Sequence, residues 1–216
     1  MTYSGAVRPG RAAVRELAEL MVTKASVGPM DNNAYLLRSR RTDESLLIDA
    51  AAQADVLLGL LAGEPLATVV TTHQHHDHWG ALAAVVKATG ATTIVGTDDV
   101  EGIPVATDRA VTDADIVSVG DVDLEVICLV GHTPGSIALL YDDPTGPPHL
   151  WTGDSLFPGG PGRTLSPEDF ESLMTDLETK VFARLPDETW VYPGHGNDTT
   201  LGAERPHLGE WRARGW

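Results

Sequence analysis

Four side chains near the middle of the chain, spaced as H-x-H-x-D-H within six residues, are candidate metal ligands. Residues 73–78 read H-Q-H-H-D-H and follow residues 66–72, an apolar, β-branched run that predicts a strand. Imidazole nitrogen and carboxylate oxygen are ligands that zinc accepts readily. A single ion cannot easily be coordinated by four side chains from so short a turn. Because neighbouring side chains alternate in direction, the first two ligands can point to one place and the last two to another. The spacing therefore predicts two metal ions, with the candidate ligands His73, His75, Asp77 and His78.

Three later segments place a metal-binding residue type beside glycine at the end of an apolar run. They contain His132 in G-H-T-P-G-S, Asp154 in T-G-D-S and His195 in P-G-H-G. Glycine lets the backbone approach a crowded centre without a Cβ clash. Each segment alone is typical of a turn, but together with residues 73–78 they predict one shared site. The helical H-E-x-x-H zinc motif does not fit, because no i, i+4 histidine pair brackets a glutamate.

Taken in order, these motifs resemble the metallo-β-lactamase superfamily and, within it, the glyoxalase II-like branch of short hydroxyacylglutathione hydrolase-like proteins. The matching segments are residues 30–37, 72–78, 131–136, 152–157 and 192–196. The resemblance implies a first ion, a second ion and a bridging carboxylate. The implied ligands are His73, His75 and His132 for the first ion, Asp77, His78 and His195 for the second, and Asp154 between them. By the same resemblance, His76 is not a ligand.

The resemblance also implies the fold. The expected class is α/β (α+β), as a four-layer αββα sandwich with two mixed β-sheets and helices on the outer faces. The expectation is a single domain over residues 1–216, without the C-terminal helical domain of full-length glyoxalase II. Hydrophobic periodicity agrees with this architecture. It predicts helices at residues 53–61, 80–89 and 166–184, and strands at 21–27, 33–38, 45–48, 92–95, 116–119, 122–130, 137–141, 149–151 and 189–192.

The activity implied by the resemblance is metal-dependent hydrolysis of a thioester of a low-molecular-weight thiol, by a hydroxide that bridges two ions. The substrate would be S-lactoylglutathione or a counterpart built on another thiol such as mycothiol. Asp77 and Asp154 are the candidate catalytic carboxylates. A thiol has a pKa of about 8.5, so a thiolate leaves with little protonation. This agrees with the lack of an obvious general acid near the motifs.

Four alternatives remain open at this stage. A persulfide dioxygenase would use one non-haem iron with the same ligand types, and a lactonase would cleave a cyclic ester. A β-lactam hydrolase fits less well, because an amide needs a general acid more urgently. Its second site also often uses a cysteine, whereas the single Cys128 lies in an apolar run and is expected to be a buried small hydrophobe. A metal-binding fold without activity is disfavoured by the presence of all seven implied ligands.

Two residues shortly after the predicted bridging aspartate are candidates for substrate binding. Phe157 and Arg163 are close enough in sequence to Asp154 to line the mouth of the site. The arginine could bind a substrate carboxylate, although an exposed arginine without such a role is the alternative. Two divalent ions are the expected cofactors, with zinc first and iron or manganese accepted by the same ligands.

Composition restricts the partners. Among 216 residues, 31 are acidic and 15 are Lys or Arg, for a net charge of −16, which argues against a nucleic-acid backbone as partner. No apolar run has the length of a transmembrane helix or a signal-peptide core, so no membrane partner is expected. With one cysteine, the chain is expected to be cytoplasmic. The expected partner is a small-molecule thioester, and the chain is expected to be a monomer or a homodimer.

Overall fold

The structure, a computed structural model that describes residues 3–215, contains two β-sheets packed face to face. The first sheet has seven strands in sequential order. They are β1 Ala12–Glu16, β2 Leu20–Val27, β3 Asn32–Ser39, β4 Ser45–Ile48, β5 Thr68–Thr71, β6 Thr92–Gly96 and β7 Arg109–Val111. Strands β1 to β4 pair antiparallel, and the pairs from β4 to β7 are parallel. The sheet is therefore mixed.

The second sheet is also mixed and has six strands. The remaining strands are β8 Ile116–Val119, β9 Val122–Cys128, β10 Ile137–Tyr141, β11 His149–Gly153, β12 Leu156–Phe157, β13 Gly160–Pro161, β14 Trp190–Pro193 and β15 Thr199–Thr200. Their order across the sheet is β15-β14-β11-β10-β9-β8, with β11 and β14 parallel and the other pairs antiparallel. Strands β12 and β13 form a separate small hairpin.

Helices cover the outer face of each sheet. They are α1 Ala54–Leu60, α2 His76–Trp79, α3 Leu82–Thr89, α4 Pro167–Asp176, α5 Leu201–Glu204 and α6 Leu208–Arg214. Helices α1 and α3 pack on the first sheet, whereas α4, α5 and α6 pack on the second. The start of α4 follows from its sequence, because Ser166 caps the helix by accepting a hydrogen bond from the Asp169 amide and Pro167 occupies the first position. The four-layer αββα prediction is confirmed.

The alternation of strand residues divides the interior into three cores. In β10, Leu139 faces the first sheet, whereas Leu140 faces the helices that cover the second sheet. In β5, Val70 packs in the core between the sheets, and Val69 packs in the core under α1 and α3. Central strands are thus buried on both faces, which explains why their sequences read as continuous apolar runs.

Most predicted elements are present, and three strands have the predicted bounds: β4, β8 and β10. The structure corrects two details of the sequence analysis, one at the H-Q-H-H-D-H motif and one at Cys128. Asp77 and His78 lie inside the short helix α2 rather than before a helix, and the following helix begins at Leu82. Cys128 is half-buried rather than buried, because β9 ends there and the chain turns away into the loop that carries His132.

The predicted long helix at residues 166–184 changes character at Leu177, where α4 continues as a π-helical segment, Leu177–Phe182. Strands β1 and β7 and helices α5 and α6 were not predicted, because they are short and their apolar periodicity is weak. Within residues 3–215, every helix is too short or too polar to cross a lipid bilayer.

We expect Leu124→Ala to lower the free energy of unfolding by about 2–5 kcal/mol, because the leucine is fully buried between the sheets and its removal leaves a cavity. Ile116→Ala on the neighbouring strand is the control, since Ile116 is 42% exposed and its loss should cost less than about 1 kcal/mol. Urea denaturation measures both. Equal losses would contradict the placement of the inter-sheet core.

Candidate metal centre

The strands bring their carboxyl ends to one edge of the sandwich. In the first sheet, the parallel strands β4 and β5 end just before Asp49 and Thr72. In the second sheet, β9, β11 and β14 run in the same direction and end shortly before the segments that carry His132, Asp154 and His195. Residues far apart in sequence therefore meet there, as is usual for ligand sites at the carboxyl ends of strands.

One group of donors at this edge is formed by His73, His75 and His132, whose ligand atoms lie within 4.8 Å of one another. His75 Nδ1 is 2.9 Å from His132 Nε2, and His73 Nε2 is 3.3 Å from the same His132 nitrogen. Three imidazole nitrogens thus point at one place.

A second group is formed by Asp77, His78 and His195, again within 4.8 Å. His195 Nε2 is 3.3 Å from His78 Nε2 and 3.3 Å from Asp77 Oδ2. The last two donors of the H-Q-H-H-D-H motif, which lie in α2, thus meet His195, whereas the first two meet His132.

Asp154 lies between the two groups. Its Oδ2 is 3.6 Å from His132 Nε2 and 3.4 Å from His195 Nε2, and its Oδ1 is 3.4 Å from His78 Nε2. The structure therefore brings together all seven residues that the sequence singled out as candidate ligands, with Asp154 in contact with both sets.

A buried carboxylate that the sequence analysis missed orients a histidine in each group. Asp49 Oδ2 is 2.8 Å from His78 Nδ1, so this nitrogen carries a proton and the ring turns its Nε2 towards the other donors. Thr72 donates its hydroxyl proton to Asp49, and the hydroxyl oxygen then accepts from His73 Nδ1 at 3.1 Å. Asp49 therefore sets the tautomers of His73 and His78.

Main-chain carbonyls do the same for two more histidines. His132 Nδ1 donates to the carbonyl of Arg163 at 2.6 Å, and His195 Nδ1 donates to the carbonyl of Met30 at 2.9 Å. Each ring then turns its Nε2 lone pair towards the other donors. Partners of this kind fix the orientation of metal-binding histidines.

This arrangement fits cations rather than a self-sufficient hydrogen-bond network. The Nε2 lone pairs of His73 and His132 face each other across 3.3 Å with both Nδ1 protons directed elsewhere. Asp154 Oδ1 is buried and has no hydrogen-bond partner among residues 3–215. Buried polar atoms are rarely left in this state without an ion or water. Neutral imidazoles and carboxylates are donors that a pair of divalent ions accepts.

The pKa values of the donor side chains are shifted by burial and by the charged groups around them. Burial, together with the nearby His78, holds the pKa of His73 well below its usual range, and burial also lowers the pKa of His132. Burial alone would lower the pKa of His78, but the Asp49 and Asp154 carboxylates outweigh it and raise the pKa to about 10. Burial would raise the pKa of Asp154, yet its contacts with His195 and His78 hold that pKa far below the usual range. The carboxylates thus favour positive charge at the centre.

Two further missed residues hold the loops in place. Asn32 donates to Asp77 Oδ2 at 2.9 Å. Asp99, fully buried, accepts from the Gln74 amide, the Thr133 hydroxyl and the Gly135 amide at 2.8, 2.5 and 2.8 Å. Asp99 therefore joins the loop of His75 to the loop of His132. An acid shortly after an apolar strand, one residue beyond it for Asp49 and three beyond it for Asp99, was the only sequence signal for these two residues.

The loop of His195 is fixed by a buried ion pair. Lys24 Nζ donates to Asp198 Oδ1 at 2.6 Å, to the Gly196 carbonyl at 2.7 Å and to the Gly5 carbonyl at 2.8 Å. Both charged side chains are 0% exposed. Asn33 also donates to the carbonyl of Gly196, at 3.0 Å. Removing one partner of such a pair leaves an uncompensated buried charge, so the loop is strongly constrained.

Close approach explains one of the glycines beside the ligands. A Cβ at Gly194 would lie 2.2 Å from Asp154 Oδ1 and 2.7 Å from His78 Cε1. No other residue could pass between these two donors.

The two candidate substrate-binding residues lie beside the donors. The Phe157 ring is half-buried, with its centroid 6.3 Å from that of His195. Arg163 has an exposed side chain and touches the centre through its carbonyl, which accepts from His132. His76 packs edge-to-face on Trp79.

Comparisons with known proteins identify similar chains. A sequence model of the metallo-beta-lactamase superfamily matches residues 27–195. A hydroxyacylglutathione hydrolase of Polaromonas sp. is 37% identical over 166 residues, which are 76% of this chain and 62% of that protein. The chain thus spans 62% of the length of the curated relatives of this name that it matches.

Two solved structures are similar over most of their length. The BLEG-1 B3 metallo-beta-lactamase superposes with a TM-score of 0.77 at 29% identity, covering 88% of this chain and 99% of that one. ETHE1 from Myxococcus xanthus superposes with a TM-score of 0.76 at 30% identity, covering 87% of this chain and 82% of that one.

We expect Asp49→Asn to weaken zinc binding by about 10- to 100-fold, because the carboxylate that fixes the tautomers of His78 and His73 is lost. Competition with a chromophoric chelator measures the affinity, and circular dichroism checks that the variant is folded. Asp55→Asn removes the same charge from an exposed site in α1 and should bind zinc like the unmodified protein. An unchanged affinity in a folded Asp49→Asn protein would show that Asp49 does not orient the donors.

Proposed function

The chain belongs to the metallo-beta-lactamase superfamily, and from this premise we propose that it is a metal-dependent hydrolase that cleaves thioesters of a low-molecular-weight thiol. The observation that carries the proposal is the convergence of five histidines and two aspartates in two groups that share Asp154. The similarity to proteins named hydroxyacylglutathione hydrolase supports a thioester, of the S-lactoylglutathione type, as substrate.

We assign the donors to two ions. His73, His75 and His132 would hold the first ion and Asp77, His78 and His195 the second, and Asp154 lies within reach of both groups. A pair of divalent cations supplies a Lewis acid for the carbonyl oxygen and a water whose pKa is lowered towards neutrality. Zinc is the proposed metal, and iron and manganese accept the same nitrogen and oxygen donors.

The chain's own residues perform the remaining tasks. Asp77 is the better placed of the two carboxylates to accept a proton from water that enters the site, since its side chain is 25% exposed and that of Asp154 is 12% exposed. Asn32 holds Asp77 in this orientation through the hydrogen bond to Oδ2. Phe157, beside His195, would contact the acyl group and exclude water from that side.

Among acyl donors, a thioester needs the least proton donation from these residues. The leaving thiolate belongs to a thiol of pKa about 8.5 and departs without a proton from the protein. An amine leaving from an amide must be protonated, and the Nδ1 protons of His78, His132 and His195 are already donated to Asp49 and to two main-chain carbonyls. The donor set therefore favours a thioesterase over an amide hydrolase.

A second candidate is a persulfide dioxygenase with one non-haem iron. Such an iron is typically held by two histidines and one carboxylate with open positions. The group formed by His73, His78 and Asp154 has this composition. A lactonase would use the same pair of ions as the thioesterase and differs only in substrate.

Metal content combined with turnover tests the proposal. The metal-free protein, reloaded separately with zinc, iron or manganese, should bind two ions per chain and hydrolyse S-lactoylglutathione. Chelation should abolish turnover, and zinc should restore it. One iron per chain with oxygen consumption on glutathione persulfide would replace the hydrolase by the dioxygenase. Cleavage of acyl-homoserine lactones with no cleavage of thioesters would replace it by the lactonase.

We expect His132→Ala to lower kcat/KM for the thioester by at least about 100-fold and to lower the metal content, because the ring contacts two other donors and Asp154. His207→Ala is the control, since it removes a histidine whose side chain is 52% exposed. Mass spectrometry of the bound metal and steady-state kinetics measure both effects. Full activity of His132→Ala would exclude this histidine from the centre.

A further inference from the structure

Asp99 is a buried carboxylate at the edge of the sandwich that carries the metal centre. It lies in the 3-10-helical segment Thr97–Gly102, directly after β6, and is 0% exposed. Its Oδ2 accepts hydrogen bonds from the Gln74 amide at 2.8 Å and from the Thr133 hydroxyl at 2.5 Å. Its Oδ1 accepts from the Gly135 amide at 2.8 Å. Both carboxylate oxygens are therefore bonded to two separate loops.

The two loops are those that carry the first group of metal-binding side chains. Gln74 lies between His73 and His75, and Thr133 directly follows His132. The loops bring His75 Nδ1 to 2.9 Å from His132 Nε2. Because the rings are this close, a small shift of either loop changes the place at which their nitrogens meet. Asp99 thus controls the spacing of the first group.

The second group is oriented by different residues. Asn32 donates a hydrogen bond to Asp77, and the carbonyl of Met30 accepts one from His195. Asp49 serves both groups, because it contacts His78 directly and His73 through Thr72. The hydrogen bonds of Asp99 end instead on residues 74, 133 and 135, all in the loops of the first group.

Close packing makes the connection between the two loops stiff. A Cβ at Gly135 would overlap the backbone of Asp99, and a Cβ at Gly96 would overlap the carbonyl of Gly135. Thr133 Oγ1 is also 2.6 Å from Ser136 Oγ, and Ser136 Oγ accepts from the Thr133 amide at 3.1 Å. The turn after His132 is therefore held as a unit against the 3-10-helical segment.

We propose that Asp99 is a positioning residue for the first ion alone, so that its loss empties one ion site and leaves the other occupied. This inference rests on the proposed two-ion hydrolase and names the residue on which one ion depends. In Asp99→Asn, one oxygen becomes an NH2 group that cannot accept a hydrogen bond. At least one of the three buried donors then loses its partner, and the two loops are no longer held together.

A zinc titration of the metal-free protein tests the proposal, with a chromophoric chelator as competitor to resolve two dissociation constants. We expect Asp99→Asn to weaken one of them by about 10- to 100-fold, as is usual for residues that orient metal-binding side chains, and to leave the other unchanged. The control is Asp98→Asn, which removes the same charge from the neighbouring, exposed residue. It should bind both ions like the unmodified protein.

Double variants identify which ion is lost. Asp99→Asn combined with His75→Ala should bind metal like His75→Ala alone, because both changes act on the first ion and their effects do not add. Asp99→Asn combined with His195→Ala should lose both ions. Manganese supplies a spectroscopic readout, since electron paramagnetic resonance should show a coupled ion pair in the unmodified protein and an isolated ion in Asp99→Asn.

A second substitution covers the case in which Asp99→Asn does not fold. Thr133→Val removes the hydroxyl that donates to Asp99 and keeps the branched shape of the side chain. We expect it to weaken the same ion about tenfold, the lower end of the range for such residues. Thr133→Ser restores the hydroxyl and should recover most of this loss. Circular dichroism checks the folding of each variant.

Several results would overturn the role of Asp99. They are an equal weakening of both ions in Asp99→Asn, no weakening of either, the same change in Asp98→Asn, and a single ion in the unmodified protein. Selective loss of one ion in Asp99→Asn, in a protein that does not hydrolyse thioesters, would instead refute the thioesterase and support the role of Asp99. The two proposals therefore fail in distinguishable ways.

Discussion

The candidate centre depends on the buried carboxylate of Asp49. It accepts a hydrogen bond from His78 directly and orients His73 through Thr72, so one side chain orients a histidine in each group. Without this constraint, either ring could rotate or change tautomer and direct an N–H at its neighbours. The imidazoles of His132 and His195 are aligned by the carbonyls of Arg163 and Met30. Lone pairs held this close to one another repel, and a cation between them removes the repulsion.

The fold holds the closely packed donor side chains in fixed positions. Strands β4 and β5 of one sheet and β9, β11 and β14 of the other are buried on both faces, so their ends cannot shift without disturbing two cores. Asp99 and the Lys24–Asp198 pair then fix the loops that leave those ends. The rigid elements thus position the donors, and buried polar contacts adjust the loops between them.

Sequence reasoning found the donors because four of them cluster in residues 73–78 and the other three lie beside glycine at the ends of apolar runs. The division into two groups also followed from the order of residues 73–78, although the short helix α2 and not simple alternation achieves it. The orienting residues were not predictable in the same way. An aspartate after a strand, such as Asp49, is common in turns, and its role appears only when β4 pairs with β5 in register.

The ion pair of Lys24 and Asp198 has a consequence for the beginning of the chain. Lys24 binds the carbonyl of Gly5 as well as that of Gly196, and Tyr3 donates to Asp198. Residues 3–5 are therefore held by the same buried polar contacts that secure the loop of His195. Proteolytic trimming or a bulky fusion at this terminus would admit water to a buried ammonium group, and the damage would reach a ligand nearly two hundred positions away.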